Sequence, residues 1–304
     1  MAFKTFKMKI LDELIAELQS AKKGAEADHE KKIVDLKTYE GEDKVVHIQD
    51  ALKTMEEAGQ SVLRVKTGLM KFDGFLSGLQ EEQLIIFSAP TGHGKTTFFK
   101  TLTKKFFEQG HHSIWFSFEV GMREFCESFP GMPSFYIPSI VEGGSLKWLE
   151  DRIIEGQAKF GTKIVFIDHL HYLIDMKTLS ITKNQSIAIG MLLRELKNIA
   201  RRNKVLIFLV AHLRKIDIES EMPNINDLRD SSFVGQEADA VVLMWRIPKP
   251  QTKEEKKAQM PTELTNEAIM NIVKNRKTGK LGHFRVEYDE TQHEFYESIF
   301  ESRI

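Results

Sequence analysis

The stretch at residues 87–99, FSAPTGHGKTTFF, decides the fold, because it places a phosphate-binding loop between an apolar run and a helical pattern. Gly94, Lys95 and Thr96 complete the loop, and Ala89 occupies its usual first glycine position. Backbone amides freed by glycine and the positive end of the following helix bind phosphate oxygens. We expect Lys95 to reach the terminal phosphates and the Thr96 hydroxyl to ligate magnesium. A strand, this loop and a helix in that order predict a nucleotide site.

The rest of residues 61–304 alternates apolar runs with helical patterns. Five runs have the continuous apolar character of strands buried on both faces: QLIIFSA, SIWFSFE, KIVFIDHL, KVLIFLVAH and DAVVLMW. The segments between them repeat apolar residues every three or four positions, as helices do. This alternation predicts an α/β fold with a mostly parallel central sheet flanked by helices. Two later runs, AIMNIVKNR and HFRVEYDE, predict a C-terminal β-hairpin appended to that sheet.

Residues 1–60 differ from the rest of the chain in their pattern of apolar and charged residues, and they are predicted to form a helical N-terminal arm or linker. Apolar residues recur at helical spacing over residues 7–22, and charged residues dominate after that. Because this apolar stripe is too thin for a core of its own, it must cover another surface. The sequence leaves open whether that surface belongs to the same chain or to a neighbouring copy.

The overall charge neither supports nor excludes nucleic-acid binding. The chain has 43 lysine and arginine residues against 44 aspartate and glutamate residues, so any such contact must come from the local placement of charge. The single cysteine, Cys126, cannot form an internal disulfide, and the N-terminus lacks the long apolar run of a signal peptide or membrane span. We therefore expect a cytoplasmic protein with no membrane contact.

Two acidic residues follow apolar runs, where a nucleotide hydrolase needs them. Asp168 ends the run in KIVFIDHL, where a carboxylate can hold magnesium through water. Glu119 closes IWFSFEV, the strand after the phosphate-loop helix, so its carboxylate is predicted near the terminal phosphate as a general base. A solvated acid at a strand end is the alternative for each residue.

Six segments in order resemble the RecA-like replicative DNA helicases of the DnaB type (superfamily 4), in particular the helicase half of phage primase-helicases and the mitochondrial replicative helicase. The resemblance runs over about residues 67–296. The segments are TGLMKFDGFLSGLQEEQLIIFSAPTGHGKTTF, IWFSFEV, FIDHLHYL, VLIFLVAHLRK, INDLRDSSFVGQEADAVVLMWR and IVKNRKTGKLGHFRVEYD. This resemblance implies a RecA-like P-loop NTPase core that uses ATP, or another NTP, with Mg2+.

The resemblance also implies roles for residues outside the phosphate loop. His212 resembles the polar residue that senses the γ-phosphate, and an imidazole there can donate to a phosphate oxygen. Arg276 resembles an arginine finger that acts on a neighbouring subunit, a contribution of about three to five orders of magnitude in rate. Lys274, two residues earlier, faces the same side of the strand and is expected to assist. A capped core histidine and a solvated basic hairpin are the alternatives.

Together these inferences define the predicted site. The catalytic residues are Lys95, Glu119, His212 and Arg276. The metal ligands are Thr96 and Asp168. The nucleotide contacts are Ala89, Pro90, Thr91, Gly92, His93, Gly94, Lys95, Thr96, Thr97 and Lys274. The loops expected to face DNA contribute Lys177, Lys183, Asn184, Arg214, Lys215, Asn226 and Arg229. A mixed solvated loop is the alternative for this last group.

The favoured hypothesis is an ATP-dependent replicative DNA helicase that forms a hexameric ring, translocates on single-stranded DNA and unwinds forked or duplex DNA. Residues 1–60 resemble neither the zinc-binding primase of the phage proteins nor the helical amino-terminal domain of the bacterial ones. The implied partners are therefore a separate primase, a polymerase or a helicase loader, and a phage-encoded protein acting in the host cytoplasm fits this pattern. One alternative is a RecA-like ATPase that loads, remodels or signals without unwinding. Another is a scaffold that binds nucleotide only to assemble.

Overall fold

The computed structural model describes most of the chain, which divides into two compact units, Met1–Ser61 and Val62–Ile304. The described residues are 2–41, 44–57, 63–129, 133–141, 145–169, 173, 185–213, 222–228, 231–252 and 262–297. In the first unit they form two helices, α1 (Ala2–Lys37) and α2 (Ile48–Glu57). Among the described residues, we find no helix with the length and apolar character needed to cross a membrane.

The second unit alternates strands and helices along the sequence. Its strands are β1 (Arg64–Val65), β2 (Leu79–Gln80), β3 (Leu84–Ser88), β4 (Ser113–Ser117), β5 (Ile164–Asp168), β6 (Leu206–Ala211), β7 (Ala240–Pro248), β8 (Leu264–Asn275), β9 (Gly282–Asp289) and β10 (Glu294–Glu297). Its helices are α3 (Met70–Leu76), α4 (Lys95–Glu108), α5 (Met122–Glu127), α6 (Leu146–Phe160), α7 (Gln185–Arg202) and α8 (Ser231–Glu237), and a 3-10 turn spans Ile225–Asp227.

One large sheet organises this unit, with strand order β10-β9-β8-β7-β3-β6-β5-β4. The strands from β7 to β4 in this order are parallel, and β8, β9 and β10 continue the sheet in antiparallel pairing. The structure therefore confirms the predicted α/β class, the mostly parallel arrangement of the central strands and the hairpin β8–β9. The sequence patterns do not predict β10, which pairs with β9 at the edge of the sheet.

Apolar side chains fill both faces of the central strands. In β3, Ile85 and Phe87 belong to one core cluster, whereas Leu84 and Ile86 belong to the other. Helix α4 contributes its apolar residues to the first cluster, and α6 and α7 contribute theirs to the second. Burial on both faces explains why these strands have continuous apolar sequences, since successive side chains point to opposite sides of a strand.

The parallel strands also give the sheet two different edges. The carboxyl ends of β3, β4, β5 and β6 all lie at one edge, because these strands are paired in register and in the same direction. Strand β8 runs the other way, and its last residue, Asn275, pairs with Ala240 at the start of β7. Residues that follow β8 therefore lie at the opposite edge, beside the amino ends of the parallel strands.

Candidate nucleotide-binding site

The phosphate loop connects the end of β3 to the start of α4, as the sequence predicts. Gly92 and Gly94 have φ angles of 79° and 92°, a left-handed conformation that side chains disfavour. A Cβ on Gly94 would also lie 3.1 Å from Cζ of Phe295 and 3.7 Å from Cε of Met244. The left-handed backbone therefore favours glycine at position 94, and a side chain there would also press against the Phe295 ring.

Lys95 is the first residue of α4, and its ammonium group lies over the loop. Its Nζ donates to the carbonyl oxygens of Ala89, at 3.1 Å, and Pro90, at 3.2 Å. Burial lowers the pKa of Lys95, while the negative charges of Asp168 and Glu119 act in the opposite direction. These contacts place the ammonium group where the phosphates of a nucleotide would meet the helix N-terminus.

Thr96 and Asp168 form the pair predicted to hold magnesium. The Thr96 hydroxyl donates to Asp168 Oδ2 at 2.8 Å, and Asp168 is buried at the end of β5. Burial raises the pKa of Asp168, and the charge of Glu119 adds to this, whereas the hydrogen bond from Thr96 and the charges of His169 and Lys95 oppose it. A hydroxyl and a carboxylate are hard oxygen donors, so this pair fits Mg2+.

Glu119 follows β4, and a histidine that the sequence motifs do not single out lies beside it. His169 Nε2 lies 2.6 Å from Glu119 Oε2. Ligand atoms of Glu119, Asp168 and His169 all lie within 4.8 Å of one another. The only sequence signal for His169 is its position directly after Asp168, because its partner Glu119 is 50 residues away in the chain.

His212 follows β6 and stacks against His169. The two imidazole rings have centroids 4.2 Å apart and an interplanar angle of 25°. The structure thus brings five predicted site residues to the carboxyl edge of the sheet: Lys95, Thr96, Glu119, Asp168 and His212.

A second connection links the phosphate loop to β7. The buried ring of His93 accepts a hydrogen bond at Nδ1 from the backbone N–H of Arg246, at 3.0 Å. Burial, with the positive charges of Arg246 and Lys95, lowers the pKa of His93 to about 4. The Arg246 guanidinium donates to Thr265 O at 2.9 Å and lies 5.7 Å from the ring centroid of Tyr288. Arg246 and Tyr288 lie in two of the six segments quoted for the resemblance, but the sequence assigns neither a role, because their contact joins separate strands.

Arg276 and Lys274 lie at the other edge of the sheet. The Arg276 backbone N–H donates to Asp239 O at 2.7 Å, and its guanidinium contacts Gln236 O and the Asp239 carboxylate. Lys274 Nζ donates to Gly235 O, and burial, together with the charge of Arg276, lowers the pKa of Lys274. The structure therefore does not bring these two predicted site residues to the phosphate loop of the same chain.

Most of the residues predicted to contact DNA lie outside the described part of the chain: Lys177, Lys183, Asn184, Arg214, Lys215 and Arg229. Asn226 is described and exposed in the 3-10 turn, where its backbone N–H donates to Asn224 Oδ1 at 2.9 Å. An antiparallel bridge between Leu213 and Leu228 places this segment beside the carboxyl end of β6. Asn226 is therefore near the edge that carries the nucleotide-site residues.

Comparison with known protein families shows which family the chain belongs to. A family model described as DnaB-like helicase C terminal domain matches residues 64–129 and 142–297. The chain belongs to this DnaB-like helicase family. The matched residues include the phosphate loop, Glu119, Asp168, His212 and the hairpin with Arg276.

Curated relatives are similar to this DnaB-like chain at low identity. A probable replicative DNA helicase of Trieres chinensis is 23% identical, with 83% of this chain and 64% of the relative covered. Replicative DNA helicase DnaB of Mycoplasma genitalium is 24% identical, with 79% and 58% covered. Replicative DNA helicase DnaC of Bacillus subtilis is 23% identical, with 67% and 52% covered. The DnaB-like chain therefore spans between 52% and 64% of the length of these relatives.

Two solved structures share the fold of the DnaB-like chain. One is an isolated ATPase domain, which superposes with a TM-score of 0.66 at 20% identity, covering 84% of this chain and 100% of that one. A DnaB-like replicative helicase, determined in a study of its interactions with primase, gives a TM-score of 0.62 at 20% identity, covering 88% and 70%. These similarities confirm the predicted RecA-like architecture.

Proposed function

We propose that this chain is the ATP-hydrolysing motor of a ring-forming replicative DNA helicase. The observation that carries this proposal is the convergence of Lys95, the Thr96–Asp168 pair and Glu119 at one edge of the sheet, in a chain of the DnaB-like helicase family. The relatives named as replicative DNA helicases support DNA as the polymer on which the motor acts.

Each residue of the site has a separate task in the proposed hydrolysis. Lys95 exchanges the carbonyl oxygens of its own loop for the oxygens of the terminal phosphates. Thr96 and Asp168 hold Mg2+, which supplies positive charge to offset the charge that develops on the phosphates. Glu119 accepts the proton of the attacking water, and His212 donates a hydrogen bond to a phosphate oxygen.

The position of Arg276 supports assembly into a ring. Arg276 lies at the opposite edge of the sheet from Lys95, so its guanidinium is suited to a site on another subunit. A head-to-tail interface that repeats this contact closes into a ring when the rotation between subunits permits it. We propose a hexamer in which Lys274 assists Arg276 and the arm at residues 1–60 contacts the adjacent subunit.

The proposed ring encloses single-stranded DNA and acts at a fork. We propose that its DNA contacts come from Lys177, Lys183, Asn184, Arg214, Lys215, Asn226 and Arg229, of which only Asn226 belongs to the described residues. The similar helicase structure was determined in a study of interactions with primase, which supports a separate primase as a partner of this chain. A polymerase and a helicase loader are the other proposed partners.

The test is ATP turnover measured with and without single-stranded DNA over a range of protein concentrations. A ring motor couples both ligands through assembly, so turnover per subunit should rise steeply with protein concentration and should be stimulated by DNA. The Lys95→Ala variant should lose turnover, because it lacks the charge that binds the terminal phosphates. This control shows that the measured hydrolysis belongs to the phosphate loop.

A second measurement separates unwinding from other ATPase functions. The wild-type chain should separate the strands of a forked duplex in the presence of ATP, and Lys95→Ala should not. Turnover that depends on Lys95 but is indifferent to DNA, with no strand separation, would instead favour an ATPase that loads, remodels or signals.

A further inference from the structure

His169 is a buried imidazole in direct contact with the proposed general base. Its Nε2 atom lies 2.6 Å from Glu119 Oε2, which is hydrogen-bond distance. The side chain of Glu119 is 54% exposed, whereas that of His169 is 7% exposed. The contact therefore joins a carboxylate that extends into solvent to a ring fixed inside the protein.

The backbone and the neighbouring ring both fix the position of His169. Its φ angle of 84° is left-handed, a conformation that non-glycine residues adopt only when the surrounding structure holds them there. On its other side the ring stacks on His212, with centroids 4.2 Å apart. Because His169 follows the last residue of β5 and His212 follows the last residue of β6, the sheet itself sets their separation.

We propose that His169 is a positioning residue that orients the Glu119 carboxylate for its work as general base. This inference rests on the proposed function, because it assigns His169 a task in the same hydrolysis. An ionised carboxylate only accepts hydrogen bonds, so the imidazole N–H at Nε2 is the donor in this pair. A base that is itself oriented by a further group is a recurring arrangement in catalytic sites.

The contact restricts a side chain that otherwise has several rotamers. Glu119 lies just after the edge strand β4, and an exposed glutamate at a strand end would point its carboxylate in many directions. Donation from His169 selects the conformations that keep Oε2 at the strand ends, beside Asp168. A misplaced base lowers the rate of the chemical step while leaving nucleotide binding to the phosphate loop intact.

Two substitutions separate this role from simple packing. His169→Gln keeps an N–H donor at a similar reach but removes the ring that stacks on His212. His169→Phe keeps the ring but removes the donor. Both variants place a non-glycine residue at the same left-handed backbone position, so they are matched for backbone strain. Thermal unfolding of each variant establishes that it is folded.

The measurement is kcat and KM for ATP at saturating single-stranded DNA, with ATP affinity determined by equilibrium titration. His169→Phe should lower kcat by about 10- to 100-fold, as loss of an orienting partner does elsewhere, while KM and ATP affinity stay within about twofold. His169→Gln should recover most of the lost kcat. Any result in which His169→Gln turns over no faster than His169→Phe overturns the proposal.

Glu119→Gln, measured in parallel, distinguishes failure of this inference from failure of the proposed function. In that background His169→Phe should cause little further loss of kcat, because the two residues act as one unit. An additive loss would show that His169 acts independently of Glu119. Absence of Lys95-dependent hydrolysis in the wild-type chain would instead remove the proposed function itself.

Discussion

Asp168 is a buried acid, and the free energy needed to ionise it bears on the proposed role of the site. A carboxylate buried at a strand end is expensive to ionise, and burial raises its pKa accordingly. The hydrogen bond from Thr96 and the nearby charges of His169 and Lys95 favour the ionised form. A core-facing apolar residue would avoid this cost, so the buried acid beside the phosphate loop supports the proposal that Thr96 and Asp168 hold Mg2+.

The sequence predicted residues that belong to known motifs, whereas it missed contacts that no single motif contains. Lys95 and Thr96 belong to one short motif with its own physical logic. His93 was predicted as a nucleotide contact, but its hydrogen bond with Arg246, 153 positions later, was not, and neither was the contact of His169 with Glu119. Such contacts depend on the order of strands in the sheet, which the apolar patterns of single segments do not determine.

His93 should make the protein less stable in mildly acidic solution. Its pKa is lowered from an ordinary 6.5 to about 4 by burial and by the charges of Arg246 and Lys95. As the pH falls, the unfolded chain therefore takes up this proton first, and the free energy of unfolding decreases through the window between the two pKa values. A shift of this size amounts to about 3 kcal/mol at most.

The matched control is His93→Asn, which retains an acceptor for the Arg246 N–H but does not titrate. Chemical unfolding should be measured for both proteins at pH 7 and pH 4.5. The wild-type chain should lose about 2 kcal/mol more than the variant over this interval. Equal losses would mean that His93 is not protonated on unfolding in this range.

Among the strands of the large sheet, β10 was the one that sequence patterns did not predict, although they predicted β3 to β9 through their apolar runs and the hairpin turn. Its four residues, EFYE, place two adjacent aromatic side chains between two glutamates, a pattern without strand alternation and too short to be distinctive. In the structure, β10 lies against α4, where the Phe295 N–H donates to Thr101 Oγ1 at 3.0 Å and Glu294 pairs with Lys104. This last strand supports the helix that carries the phosphate loop.

Replacing Phe295 should therefore affect both stability and nucleotide binding. The ring is buried, and it occupies the space beside Gly94. Phe295→Ala should lower the free energy of unfolding by about 3 to 5 kcal/mol and weaken ATP binding, since the loop loses the surface on which it rests. Denaturant unfolding and ATP titration measure the two effects.

Tyr296→Ala provides the control for this element, because Tyr296 is 44% exposed and points to the other face of the same strand. It should cost about 0.5 kcal/mol or less and leave ATP affinity unchanged. Phe295→Leu gives a milder version of the change if the alanine variant does not fold. Unaltered ATP affinity in a folded Phe295 variant would show that β10 does not support the loop.

At the scale of the whole molecule, the sheet separates the proposed arginine finger, Arg276, from the phosphate loop of the same chain. Arg276 lies level with the first residue of β3, and the phosphate loop follows the last residue of β3. These two ends of the five-residue strand are about 13 Å apart. The backbone N–H of Arg276 donates to the carbonyl oxygen of Asp239. The Asp239 carboxylate pairs with Lys197 at 2.5 Å and accepts a hydrogen bond from the Leu84 N–H at 2.8 Å. The guanidinium, in contact with Gln236 O and the Asp239 carboxylate, thus lies on the side of the subunit away from its own phosphate loop.

Mixing two inactive variants tests whether Arg276 completes a neighbour's site. Lys95→Ala keeps the arginine but lacks a working phosphate loop, and Arg276→Ala has the reverse defect, so each alone should be nearly inactive while Arg276→Ala still binds ATP. In a random equal mixture, up to about a quarter of the interfaces of a ring combine an intact loop with an intact arginine. Turnover of the mixture should therefore recover well above that of either variant. A mixture as inactive as its components would argue that both residues act within one chain, and full turnover by Arg276→Ala alone would remove the arginine from catalysis.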